Sequence, residues 1–130
     1  MDYSKVSQAY KKTEEHSVHE IEDPHAIVET MLVELVKSMT IFADNIDLKT
    51  GNLELKSKHF SRALTIIYGL QTSIDFEKGG DIANGLFQIY EYARQQLLSD
   101  MGKAKSETTP NAIKALEDII DAWKQIEPSK

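Results

Sequence analysis

The chain has 130 residues, of which 41% are apolar and 28% charged, with no cysteine and a formal net charge of −6. This length fits one domain with one core, this balance suits folding driven by burial, and the lack of thiols excludes disulfides, thiolate metal sites and a cysteine nucleophile. The negative charge, with no basic face to override it, argues against nucleic acid, and neither a signal-peptide start nor a run near the ~18 apolar residues of a spanning helix is present, so a cytoplasmic protein without membrane insertion is expected.

Residues 1–22 are polar and rich in His and Glu, with Val6, Ala9, Tyr10, Val18 and Ile21 as the apolar anchors. They read as a tail or a short, mobile capping helix. Asp23-Pro24 is a helix start, because a carboxylate accepts unpaired backbone N–H groups and proline suits the first helical position. From there Ile27, Val28, Met31, Leu32, Leu35, Val36, Met39, Phe42, Ala43 and Ile46 recur in steps of three and four, which predicts a helix ending near Thr50-Gly51-Asn52.

A second stripe, Phe60, Ala63, Leu64, Ile67, Leu70 and Ile74, stops at Phe76-Glu77-Lys78-Gly79-Gly80, where the two glycines permit a left-handed exit. Asp81 then stands at the expected start of a third helix, with Ile82, Leu86, Ile89, Tyr90, Ala93 and Leu97, running to about Met101. After a polar linker over 102–109, Pro110 opens a fourth helix with Ile113, Leu116, Ile119, Ile120, Trp123 and Ile126, closed by Pro128. No strand pattern competes. The expected fold is all-α, an antiparallel up-down four-helix bundle over 23–127 preceded by the short N-terminal helix, with 128–130 as a tail.

Chemistry finds little purchase in this pattern. Glu22-Asp23-Pro24-His25 has Glu-x-x-His spacing, with His16 and His19 nearby, but a di-iron bundle needs two such motifs on facing mid-helix turns and two further glutamates. No metal or other cofactor is expected. His59 lacks the lysine and glycine that follow a phospho-accepting histidine, being followed by Phe60-Ser61-Arg62-Ala63. Gly79-Gly80 lacks the lysine, hydroxyl and preceding strand of a phosphate loop. No nucleophile, base and orienting group stand out, so the expectation is no enzyme. The apolar supply exceeds one stripe per helix, with Ile66, Tyr68, Phe87, Tyr92 and Leu98 outside the main stripes, and this surplus suggests an exposed apolar groove for a protein partner.

The segment Ser73-Ile74-Asp75-Phe76-Glu77-Lys78-Gly79-Gly80-Asp81-Ile82-Ala83, continued by Leu86, Ile89, Tyr90 and Tyr92, resembles the signature of the flagellar secretion chaperone family (FliS type). That family has a Ser-Leu-Asp helix end, a Gly-Gly-Glu-Ile-Ala turn and a Leu-x-x-Leu-Tyr-x-Tyr helix at the same spacing. Ala9-Tyr10, Asp23-Pro24-His25 and Ala122-Trp123 extend the similarity along the chain. Met31-Leu32-Val33-Glu34 departs from the family's Leu-Tyr-Asp-Gly, and Gly85 stands where asparagine is usual.

The resemblance implies a bacterial cytosolic chaperone that binds the disordered C-terminal segment of flagellin, prevents premature polymerisation and keeps the subunit competent for type III flagellar export. It implies a groove at Ile67, Leu70, Ile74, Ile82, Leu86, Ile89 and Tyr90, with export apparatus components as further partners. Tyr10, an isolated aromatic in the polar N-terminal segment, is a candidate cap over that groove until the partner displaces it. The alternative is a helical adaptor or dimerisation module with another client, including a homodimer through the same surface.

Overall fold

A computed structural model of the protein describes residues 23–126. The regular elements among them are all helices: α1 (Pro24–Asp44), α2 (Leu53–Thr72), α3 (Phe76–Lys103) and α4 (Thr109–Gln125). The N-terminal segment containing Tyr10, His16 and His19 lies outside the described residues.

α1 starts where the sequence predicts, with the Asp23 carboxylate accepting the His25 N–H at 2.9 Å and Pro24 in the first turn. It ends at Asp44, earlier than the expected boundary near Gly51. The reason is a set of side chains that compete for the backbone. The Asn45 amide donates to the Ile41 carbonyl at 2.8 Å and its oxygen accepts the Asn52 N–H at 3.1 Å. Asp47 accepts the N–H groups of Lys49 and Thr50 at 2.7 and 3.1 Å. Ile46 stays buried, so the apolar stripe is completed by the loop and not by the helix.

The second boundary also shifts. α2 stops at Thr72, closed by the Ser73 N–H on the Gly69 carbonyl at 3.1 Å. Asp75 caps the next segment by accepting the Lys78 N–H at 3.0 Å, so Phe76 to Gly79 form a first turn of α3, and Asp81, the first residue past the non-helical Gly80, stands at the start of its main body as the sequence predicts. Of the two glycines, Gly80 alone takes a positive φ (52°, with ψ −125°), and it kinks α3 between its first turn and its main body.

α3 and α4 are joined by a buried carboxylate. Asp100, with no exposed surface, accepts the N–H groups of Glu107, Thr108 and Thr109 at 3.0, 3.0 and 2.7 Å and the Thr108 hydroxyl at 3.0 Å. Thr108 occupies the N-cap position of α4 but makes no capping bond with its own side chain. Asp100 serves the open helix end in its place. Burial pushes its carboxyl upward, but the bonds from Thr109 and Thr108 outweigh this and hold it below the ordinary carboxylate value.

α1 packs against α2 and α4, and α3 packs against the same two helices, which closes a ring of four. The pairs Ser38–His59 and Glu34–Arg62 run in opposite chain directions along α1 and α2. His25, at the start of α1, meets Trp123 at the end of α4: the rings stack at 4.8 Å, the Trp123 indole N–H donates to the His25 carbonyl at 2.9 Å, and His25 Nε2 lies 2.8 Å from the Trp123 carbonyl oxygen. The bundle is thus antiparallel and up-down, as the periodicity predicts. Leu32, Leu35, Met39 and Phe42 of α1 meet Ala63, Ile67 and Leu70 of α2, Tyr90, Ala93 and Leu97 of α3, and Ala112, Leu116 and Ile120 of α4. Each fully buried large apolar side chain contributes about 1.5–3 kcal/mol, against about 0–1 kcal/mol for an exposed ion pair such as Glu34–Arg62, so burial decides this fold.

Candidate functional site

The core stripe of α3 leaves two flanks, and tertiary bonds show which neighbour each flank faces. Glu91 accepts a hydrogen bond from Gln71 of α2 at 3.2 Å. Phe87 and Leu98, four residues before and seven after Glu91, share its side of the helix. On α2, Leu64 and Tyr68 precede Gln71 by seven and three residues and lie on the matching side. The seam between α2 and α3 is therefore apolar around a polar centre, with Tyr68 55% and Leu98 43% exposed. Phe76, from the turn before the kink, packs its ring 5.9 Å from that of Phe87 and extends the seam toward Gly80.

The polar centre is compact. Arg94 donates through Nε to Glu91 at 2.9 Å and pairs with it again through Nη2. These bonds, with the one from Gln71, hold the Glu91 carboxyl at about 2. The charged carboxylate, paired with Arg94 on its own helix, links α3 to α2 through Gln71 at the middle of the seam.

The opposite flank faces α4. Asp100, whose carboxylate bonds the first turn of α4, lies eleven residues beyond Ile89 and eighteen beyond Ile82, spacings that return to one side of a helix. Gly85 and Tyr92 fall toward the outer edge of the same flank. Ile82 is 73% exposed, Tyr92 40% exposed and Ile89 half-buried. Ile126, just past the end of α4, is 52% exposed.

The residues expected to line a groove divide into three groups. Ile67, Leu70 and Tyr90 are core residues, with 0, 1 and 2% exposure. Ile74, Leu86 and Ile89 are half-buried against that core, and Ile82 projects into solvent. Burial pushes the Tyr90 phenol up to about 12. The structure adds Phe76, Tyr68 and Leu98 to the exposed set. The signal for the last two was present as apolar residues outside the main stripes, at spacings of four and seven from Leu64 and Glu91.

A third groove runs between α1 and α4, floored by Val33, Val36 and Ile120 and rimmed by Lys114, Glu117, Asp118 and Asp121. Val33 belongs to the segment that departs from the family pattern. Its neighbours are structural: Leu32 is fully buried and Glu34 pairs with Arg62 at 2.9 Å.

The described histidines have structural partners. His59 Nδ1 lies 3.2 Å from the Ser38 hydroxyl, and His25 belongs to the contact with Trp123. Among the described residues no group of His, Cys, Asp or Glu is placed to hold a metal ion, and no helix is long and apolar enough to cross a membrane.

The fold is thus a four-helix bundle with exposed apolar seams on both sides of one helix. Comparison with known proteins narrows the class. The family described as flagellar protein FliS matches residues 6–130. The flagellar secretion chaperone FliS of Vibrio cholerae serotype O1 is 30% identical over 121 residues, covering 93% of this chain and 88% of its own. That of Salmonella typhimurium is 32% identical over 122 residues, covering 93% and 89%. The chain belongs to the FliS family.

Proposed function

We propose that this protein is a cytoplasmic flagellar export chaperone that binds the disordered C-terminal segment of flagellin along the two seams flanking α3. Bound there, the segment is withheld from premature polymerisation and kept unfolded enough for type III export, with the loaded chaperone then meeting the export apparatus. The observation that carries this reading is the exposure of Tyr68, Phe76, Ile82, Tyr92 and Leu98 around one helix, in a family whose curated members are named flagellar secretion chaperones.

The mechanism is binding without catalysis. An amphipathic segment in solution exposes its apolar face, and the seams offer that face a surface of matching character. Ordering such a segment costs about 2–5 kcal/mol, which burial of roughly 1,000 Å² or more at about 25 cal/mol per Å² can offset while leaving the complex reversible. Half-buried Ile74, Leu86 and Ile89 form the inner wall of the surface, and Ile67, Leu70 and Tyr90 support it from the core. Tyr10 on the N-terminal segment is a cap that competes with the client.

One titration series tests both parts. Calorimetry with full-length flagellin from the same organism is expected to give saturable binding, and flagellin lacking its C-terminal segment none. Equal binding of the two would overturn the proposed mode and favour a helical adaptor with another client. Removal of residues 1–20 is expected to leave the helical circular dichroism of the bundle intact and to raise affinity for the client, whereas unchanged affinity would remove the cap.

A further inference from the structure

The groove between α1 and α4 lies opposite the α2–α3 seam in the ring of four helices. Its volume over Val33, Val36 and Ile120 is about 540 Å³, within the ~300–1,000 Å³ range of sites that bury a drug-sized ligand. Val33 is 41% exposed, so the fold itself covers this floor only in part. The α4 rim carries Glu117, Asp118 and Asp121 against Lys114 alone. The ion pairs among the described residues are Glu34–Arg62, Glu91–Arg94 and Lys103–Glu107, so none of the three rim carboxylates has a cation beside it. An apolar floor with an uncompensated acidic edge suits a segment that is apolar on one side and basic on the next.

This chain contains such a segment, and its attachment point is at the end of the groove. The stacking of His25 on Trp123 sets the start of α1 beside the end of α4, so the chain preceding Asp23 leaves at the mouth of the channel between them. Val33 lies eight residues beyond His25, about 12 Å along the helix, and residues 14–22 can span up to about 30 Å. Before that stretch, residues 3–13 carry Lys5, Lys11 and Lys12 and no acidic residue, while Glu14, Glu15, Glu20 and Glu22 fall in the stretch itself. Tyr3, Val6, Tyr10 and Thr13 recur at steps of three and four, which return to one side of a helix. Lys5 and Lys12, seven residues apart, share one flank of that side, and Ser7 falls on the other.

We propose that residues 3–13 dock as an amphipathic helix in the α1–α4 groove, with Val6 and Tyr10 over Val33, Val36 and Ile120, and with Lys5 and Lys12 against Glu117, Asp118 and Asp121. The short tether raises the effective concentration of the segment to about the millimolar range, so contacts from a few side chains suffice. In this position Tyr10 is withdrawn from the flanks of α3. Groove and seams then compete for one segment: docking holds the cap off, and a client that takes the seams drives the segment into the groove. Only this last link rests on the export-chaperone reading.

The chain has no cysteine, so introduced pairs report the contact directly. In a glutathione buffer, Ser7→Cys/Val33→Cys is expected to form its intrachain disulfide about tenfold more than Ser7→Cys/Thr65→Cys. Thr65 is exposed on α2 near the level of Val33, as the Glu34–Arg62 pair shows. Asp118→Lys/Asp121→Lys in the first pair is expected to reduce the bond to that background, and Lys5→Glu/Lys12→Glu added to it to restore the bond. Equal bonding of the two pairs, or no restoration by the charge swap, would overturn the docking. So would a disulfide joining two chains through position 33, which assigns the groove to a second copy. A peptide of the flagellin C-terminal segment is expected to raise the 7–33 bond further. Saturable peptide binding without that rise would remove the competition with the cap and leave the docking standing, and no peptide binding would remove the export-chaperone reading alone.

Discussion

Asp100 caps a helix to which it does not belong. Replacing it with asparagine keeps one accepting oxygen but removes the charge that three backbone N–H groups and a hydroxyl converge on, and is expected to cost about 2 kcal/mol, read as a lower urea midpoint. The same contact sets a pH dependence. The folded carboxyl lies below its unfolded value of about 3.9, so the unfolded chain takes up the proton first; the stabilisation is complete above that value and is lost as pH falls through the folded one. Glu91, held at about 2 chiefly by Arg94 and then by Gln71, acts in the same direction, with a smaller effect because its pair is partly exposed to solvent. Urea midpoints should therefore decline from about pH 5 downward, beginning with Glu91, and Asp100→Asn should flatten the part of that decline below about pH 4. Nothing in the local sequence marks Asp100 for this role, since its partners lie seven to nine residues away across a loop. Asp23, which caps its own helix two residues on, was legible at once.

Helices announce their interiors better than their ends. The stripes in α1 and α2 were readable because each apolar residue repeats a message carried by its neighbours, whereas a boundary depends on single side chains. Asn45 and Asp47 end α1 through bonds that periodicity does not encode, and Ile46 kept the stripe going past the last helical residue. At the next turn Asp75 caps an extra first turn that periodicity does not reveal, and Gly80 separates it from the main body beginning at Asp81. Gly80 and Gly85 now make a sharp pair for substitution, because a Cβ meets nothing within 4 Å at either. Gly80→Ala is expected to lower stability by about 1–3 kcal/mol through backbone strain alone, since φ is 52° there, while Gly85→Ala raises it. Thermal melts of the two variants should move in opposite directions.

At the scale of the whole molecule, the all-helical bundle was legible and the surface only in part, for one reason. Periodicity finds the inward face of each helix, but which outward residues border a neighbour depends on how the helices are rotated against one another. Ile67, Leu70 and Tyr90 carry the strongest periodic signal and are for that reason core, while Tyr68 and Leu98 gain meaning once Gln71 and Glu91 join α2 to α3. The stacked His25 and Trp123 carry a different consequence. They hold the first and last described turns side by side, so the path of the chain through the four helices comes back to where it started. A bundle of that kind has no privileged beginning. A circularly permuted protein, with residue 126 tethered to residue 23 by a short flexible linker and new ends opened in the exposed loop between α1 and α2, retains all four helix interfaces. It is expected to unfold in a single cooperative transition by circular dichroism, and a broad or biphasic transition would show that the order of the helices along the chain matters as much as their arrangement.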